Sequence, residues 1–148
     1  MAKLLFTRNA AIGSTLIRFA TWSGWSHVQV FDSDNTVIGA TWPEGVIRET
    51  MDYRLANSSR ATVMNIPVPD EAALQAFLVK QLGKPYDLRG MLSLEFHRDW
   101  QKDDAWWCSE LAAAAVQAGG NPLFRAEALK RVTPQQIWML PFEIEVLK

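Results

Sequence analysis

The hydrophobic and polar positions of this chain alternate at two different periods, and the change of period divides it into elements. Leu4-Leu5-Phe6 is a short apolar run that predicts a strand. Ile12, Leu16, Phe19 and Ala20, with Ile17 beside them, recur at helical spacing and predict a helix over Ala10 to Thr21, ended by Ser23-Gly24. His27 to Phe31 then alternates with period two. Asp32-Ser33-Asp34-Asn35 supplies turn residues, and Thr36 to Trp42 and Gly45 to Met51 predict two more strands, so an antiparallel meander is expected. Arg60 to Val68 is a fourth strand in this stretch, stopped by Pro67 and Pro69.

Beyond Pro69 the period becomes helical. Asp70 is placed to cap a helix whose apolar stripe is Leu74, Phe77 and Leu78, with Gly83 suited to the position after its end. A Gly-Lys-Pro-Tyr-Asp turn (83–87) leads to a short apolar helix around Leu88 to Phe96, and the charged stretch His97 to Asp104 reads as a loop. An alanine-rich helix from Cys108 to Ala118 ends at Gly119-Gly120. Thr133-Pro134 begins another helix, and Phe142 to Leu147 predicts a closing strand. Strands first, then helices, then a last strand predict an α+β fold, an antiparallel sheet with packed helices. At 148 residues a single domain over 1–148 is the simplest division.

Composition narrows the function. Hydrophobic residues make up 49% and charged residues 21%, with a net charge of −1 and no Lys/Arg-dense block, so no nucleic-acid partner is expected. No run of about 18 apolar residues predicts a membrane span. The apolar run after Met1-Ala2-Lys3 is too short for a signal-peptide core, which makes a cytoplasmic location the default expectation. Cys108 is the single cysteine, so no internal disulfide forms. One Cys and two His without ligand spacing predict no metal, and no cofactor is expected.

Cys108 is the first candidate for chemistry because it stands where a loop becomes a helix. The positive end of the helix favours a thiolate, and the free N–H groups of the first turn can hold an oxyanion. A buried, unreactive cysteine is the plainer alternative. A base must be a histidine, and the chain has two. His27 opens an apolar strand that would hold it rigidly, whereas His97 lies in the charged stretch Phe96-His97-Arg98-Asp99 and reads as a surface residue. Seven tryptophans are many for this length, and Trp22, Trp25, Trp42, Trp106 and Trp107 lie near the candidate residues; Trp25, Trp42, Trp106 and Trp107 are placed to line an apolar groove, but core packing accounts for most, with one or two expected to face the site.

Several segments, in order, resemble the circularly permuted NlpC-type papain-fold proteins, a group that includes YiiX-type amidases and, more remotely, lecithin retinol acyltransferases. They are Leu4 to Arg8, Leu16 to Thr21, Ser26 to Phe31, Val37 to Thr41 with Gly45-Val46, Gly83 to Asp87, and Trp107 to Leu111 with Gly119. The resemblance covers roughly residues 4 to 120. It implies a permuted papain-like core in which a sheet carries the histidine and the cysteine helix packs against it, and it pairs Cys108 with His27. The implied activity is hydrolysis or transfer at a peptide, amide or lipid-ester carbonyl through an acyl-enzyme. Tyr86 matches the family's tyrosine, whose phenol can donate to an oxyanion or to substrate; a core tyrosine with a wet hydroxyl is the alternative. Asp87 and Glu110 read as structural. The pattern breaks at Gly39, where a polar residue that orients the imidazole is expected; the side chain of Thr41, on the same strand face, or of Glu44 can take that part, as can a backbone carbonyl or a water. The activity expected is a thiol amidase or peptidase, with a lipid-directed phospholipase or acyltransferase, or an inactive binding module, as alternatives.

Overall fold

The computed structural model describes residues 1–9, 23–88 and 104–148. The helices expected at Ala10 to Thr21 and around Leu88 to Phe96, Trp22, and the loop holding His97, fall outside the described residues, apart from Leu88 and Asp104. The described elements are β1 (Ala2–Arg8), β2 (His27–Phe31), β3 (Thr36–Thr41), β4 (Gly45–Thr50), α1 (Met51–Ala56), β5 (Arg60–Ile66), α2 (Glu71–Gln81), α3 (Cys108–Ala118), a 3-10 segment (Ala126–Arg131), α4 (Pro134–Trp138) and β6 (Glu143–Val146). The class is α+β. One six-stranded sheet runs in the order β4-β3-β2-β1-β5-β6, and every neighbouring pair is antiparallel.

The alternation of side chains splits the sheet into two faces. Leu4, Phe6, Val28, Val30, Ile38, Ala40, Met64 and Ile66 point to one face and form the main core with Leu74 and Leu78 of α2 and Leu111, Ala112 and Ala115 of α3. Leu5, Val37, Ala61 and Val63 point to the other, where Met51 and Leu55 of α1 pack. The small side chains of α3 let its backbone lie close to the sheet. Nine consecutive residues of that helix, Cys108 to Val116, are buried, so it is enclosed on all sides.

The caps follow the sequence. The Asp70 carboxylate accepts from the Ala73 N–H at 2.9 Å and starts α2. Thr133 and Gln136 form a reciprocal capping box around Pro134. β5 ends at Ile66, before the two prolines. The meander β2-β3-β4 is present, and β6 adds to the edge at β5. Helix α1 is a correction, since β4 reaches only Thr50, whose hydroxyl accepts from the Tyr53 N–H and turns the chain into a helix at Met51. The 3-10 segment also breaks a stretch without a predicted element. Among the described residues, no helix is long and apolar enough to cross a membrane.

Candidate active site

Cys108 is the first residue of α3. Trp107, with extended backbone, occupies the cap position and offers no side-chain cap, so the first-turn N–H groups are left to other partners. Among them, the backbone N–H groups of Cys108 and Ser109 lie near the sulfur, while the Ser109 hydroxyl donates to the Val132 carbonyl at 2.6 Å. A further N–H comes from Val28 in the middle of the sheet. The strand pattern explains that approach. Asp32 donates its N–H to the Thr36 carbonyl at 3.1 Å, so the even-numbered N–H groups of β2 point towards β3. The β2–β3 ladder pairs Val30 with Ile38 and Phe31 with Val37. Two residues earlier, the Val28 N–H lies near the Cys108 sulfur.

These donors pull the thiol's pKa down, yet burial pushes it up and prevails. Cys108 is only 4% exposed. The thiolate favoured by helix position alone is therefore not the resting form; dehydration of the charge outweighs the helix end and its N–H groups.

His27 opens β2 opposite Thr7 of β1. By alternation its side chain shares a face with Gln29, and by register with Thr41, on the side of the sheet that α1 covers. Its Nε2 lies 3.5 Å from Thr41 Oγ1, and Arg54 Nη2 of α1 donates to that same oxygen at 3.3 Å. Burial, and then the charge of Arg54, hold the imidazole well below its ordinary pKa. The sulfur thus approaches the Val28 backbone from the α3 side while the ring stands beside Thr41 on the α1 side, and among the described residues no hydrogen bond joins the sulfur to the imidazole.

Gly39 has a physical explanation. It stands opposite Gln29, and a methyl group at Gly39 would lie 2.4 Å from Gln29 Cγ. Gln29 is completely buried and fills the space that a side chain at 39 would use. Its Nε2 donates to Glu49 Oε2 at 3.1 Å, and Arg54 donates to that oxygen from Nε (2.9 Å) and Nη2 (2.5 Å). Gln29, Glu49, Arg54, Thr41 and His27 form one hydrogen-bonded chain. Of the two side-chain substitutes for the missing orienting residue, Thr41 is the one beside the imidazole. Gln29, Glu49 and Arg54 were missed by sequence reasoning. The signal available was a glutamine at an inward position of an apolar strand facing a glycine.

Tyr86 stands beside Cys108. Residues 85–87 are pinned to Trp106 by backbone bonds, Trp106 N–H to the Pro85 carbonyl at 3.0 Å and Asp87 N–H to the Trp106 carbonyl at 2.9 Å. The start of β4 fixes the same turn, because Val46 donates to the Lys84 carbonyl at 2.8 Å. Gly45 permits this approach: its φ is +88°, and a Cβ there would lie 2.3 Å from the Lys84 oxygen. Burial first, then the negative charges that Cys108 and Asp87 can carry, push the phenol far above its ordinary pKa, so Tyr86 keeps its proton and remains a donor.

Among the tryptophans, Trp25 packs with Phe6 and Trp138, and Trp107 is buried. Trp106 donates to Gln81 Oε1 at 3.1 Å. Trp42 alone of these four is exposed, edge-on to Tyr86 with ring centres 6.2 Å apart. Glu110, in the first turn of α3, is 7% exposed, and burial followed by the charge of Asp87 raises its pKa to about 7.

No family model matches the sequence, and no curated protein matches it. Among solved structures, the chain is similar to the metalloprotein YiiX from Escherichia coli O157:H7. The superposition covers 99% of this chain and 95% of that one, with a TM-score of 0.69 and 18% identity. At that identity the likeness establishes a shared fold. Among the described residues of this chain, no group of three His, Cys, Asp or Glu side chains could hold a metal ion, so the donors on view do not fit such a centre.

Proposed function

We propose that this chain is a thiol hydrolase of the circularly permuted papain-like kind, an amidase or peptidase with Cys108 as nucleophile and His27 as base. In this reading Thr41 partners the imidazole and Tyr86 donates at the reacting carbonyl. The observation that carries the reading is that Cys108 opens α3 with its sulfur near the Val28 N–H, the residue next to His27. Tyr86, kept protonated beside the sulfur, is the second support.

Both reacting groups rest uncharged, since burial raises the thiol's pKa and lowers the imidazole's. In this reading the imidazole comes within hydrogen-bond reach of the sulfur across the end of β2, and the thiol proton passes to His27 as the sulfur bonds to the carbonyl carbon and the carbonyl electron pair moves to oxygen. N–H groups at the start of α3 and the Tyr86 hydroxyl stabilise that oxyanion. Collapse to a thioester expels the amine, which takes the proton from the imidazolium. Water then attacks the thioester, losing a proton to His27, and the carboxylic acid leaves as the thiol is restored.

A second reading, a binding module without catalysis, is favoured by the near-complete burial of Cys108 and its raised pKa. The test offers the protein a muropeptide and, separately, phospholipid vesicles, and follows the intact mass for an acyl adduct. The expected result is an adduct with the muropeptide that Cys108→Ala abolishes and His27→Ala slows by about 10²-fold or more. An adduct from phospholipid alone overturns the amidase assignment in favour of a lipid acyl donor. No adduct and no turnover with either overturns the enzyme in favour of the binding module.

A further inference from the structure

We propose that Arg54 is a positioning residue for His27, acting through the Thr41 hydroxyl and held in place by Glu49. The inference rests on the reading of His27 as a base and deepens it.

The hydrogen-bonded chain behind the imidazole has an unusual order of charge. Glu49 collects three bonds on one oxygen, two from Arg54 and one from Gln29. The Arg54 and Glu49 side chains are 14% and 11% exposed, so their fields are weakly screened by solvent. Arg54 can only donate, and its Nη2 engages Thr41 Oγ1. That contact fixes the hydroxyl oxygen, which in turn meets His27 Nε2. The group immediately behind the orienting hydroxyl is therefore a cation. A carboxylate behind the ring would stabilise an imidazolium; a guanidinium opposes it. Arg54 thus orients the ring and keeps it free to accept a proton, while the Glu49 charge one step further out moderates that field.

On His27's own face stand Thr7 from β1, Thr41 from β3, Arg54 from α1 and, behind it, Glu49 from β4. Arg8, next to Thr7, alternates to the opposite face. Across β2 lie Cys108 of α3 and Tyr86.

The experiment is an NMR titration of the His27 ring in a His97→Gln background, which leaves one histidine. Arg54→Gln is expected to move the titration midpoint upward, and Arg54→Lys, which keeps the charge, to leave it near that of the parent. Glu49→Gln removes the moderating charge and is expected to move the midpoint downward. Opposite signs for the Arg54→Gln and Glu49→Gln variants separate tuning from general loosening, which would move both the same way. An unmoved midpoint in Arg54→Gln, or a shift of one sign in both, overturns the inference. Should Arg54→Gln fail to fold, an unmoved or raised midpoint in Glu49→Gln overturns it alone. Acylation of Cys108 that is indifferent to His27→Ala would refute the catalytic reading and leave the midpoint shifts intact. His27-dependent acylation with unmoved midpoints would refute only the part given to Arg54.

Discussion

Replacing Gly39 by alanine puts a single methyl group into the space that Gln29 occupies. The new carbon would stand 2.4 Å from Gln29 Cγ, 3.2 Å from its Cβ and 3.3 Å from its Cδ. The nearest of these is not the free end of a flexible chain, and Gln29 is fully buried and tethered to Glu49. Relief requires either a displaced β3 or a new Gln29 rotamer that gives up the bond to Glu49. Overpacking of this kind costs about 1–3 kcal/mol. For a chain of this size a loss of about 2 kcal/mol lowers Tm by about 4–8 °C. Thermal and urea unfolding of Gly39→Ala, Gln29→Ala and the double variant measure it. The double variant is expected to be more stable than the sum of the two single losses, because removing the Gln29 side chain makes room for the methyl group. A Gly39→Ala protein that melts within about 1 °C of the parent would show that the two strands do not approach in this way, and would remove the explanation for glycine at this position.

Three further outcomes are expected. Alkylation of Cys108 by iodoacetamide should still accelerate above pH 8.5, roughly the value for a free thiol, because burial raises its pKa; a rate already level below pH 7 would contradict this. Glu110 has a folded pKa of about 7 against 4.5 for the ordinary group, so the folded state binds the extra proton and stability falls as pH rises through that interval. Glu110→Gln should flatten that pH dependence, worth up to roughly 3 kcal/mol, in urea melts at pH 4.5 and pH 8. Ser109→Ala removes a buried 2.6 Å bond to the Val132 carbonyl and should cost about 1–3 kcal/mol, read by urea denaturation.

Local signals made most of the described fold legible. The Cys108 to Ala118 helix, the Asp70 and Thr133 caps and the period-two strands are written in neighbouring residues, and each stands where the pattern puts it. Helix α1 was hidden because Met51 to Ala56 follows β4 without a break and buries none of its residues, which leaves hardly any periodicity to read. Thr41 was legible as a candidate because strand alternation carries it to the face of Gly39. Gln29, Glu49 and Arg54 were not, since their meeting depends on which strands pair and on where α1 lies over the sheet. The sign of the thiol's shift was also out of reach. A helix start is visible in sequence, but the packing that dehydrates the sulfur is not.

That sign bears on how the proposed chemistry would run. An ion-paired thiolate needs a thiol made more acidic and an imidazole made more basic, whereas here burial acts on both groups in the other direction. Putting a positive ring and a negative sulfur into this interior would leave two poorly hydrated charges with Arg54 repelling one of them. The neutral pair avoids that penalty and defers charge separation to the moment of attack, when the forming oxyanion has donors waiting at the start of α3 and at Tyr86. The working form would then hold a protonated sulfur and a neutral imidazole. It would be lost to acid only when His27 takes a second proton, below the ordinary histidine range, and to alkali only when the thiol ionises, above the ordinary cysteine range. A broad pH–rate plateau between those limits follows from the same burial that makes Cys108 slow to alkylate.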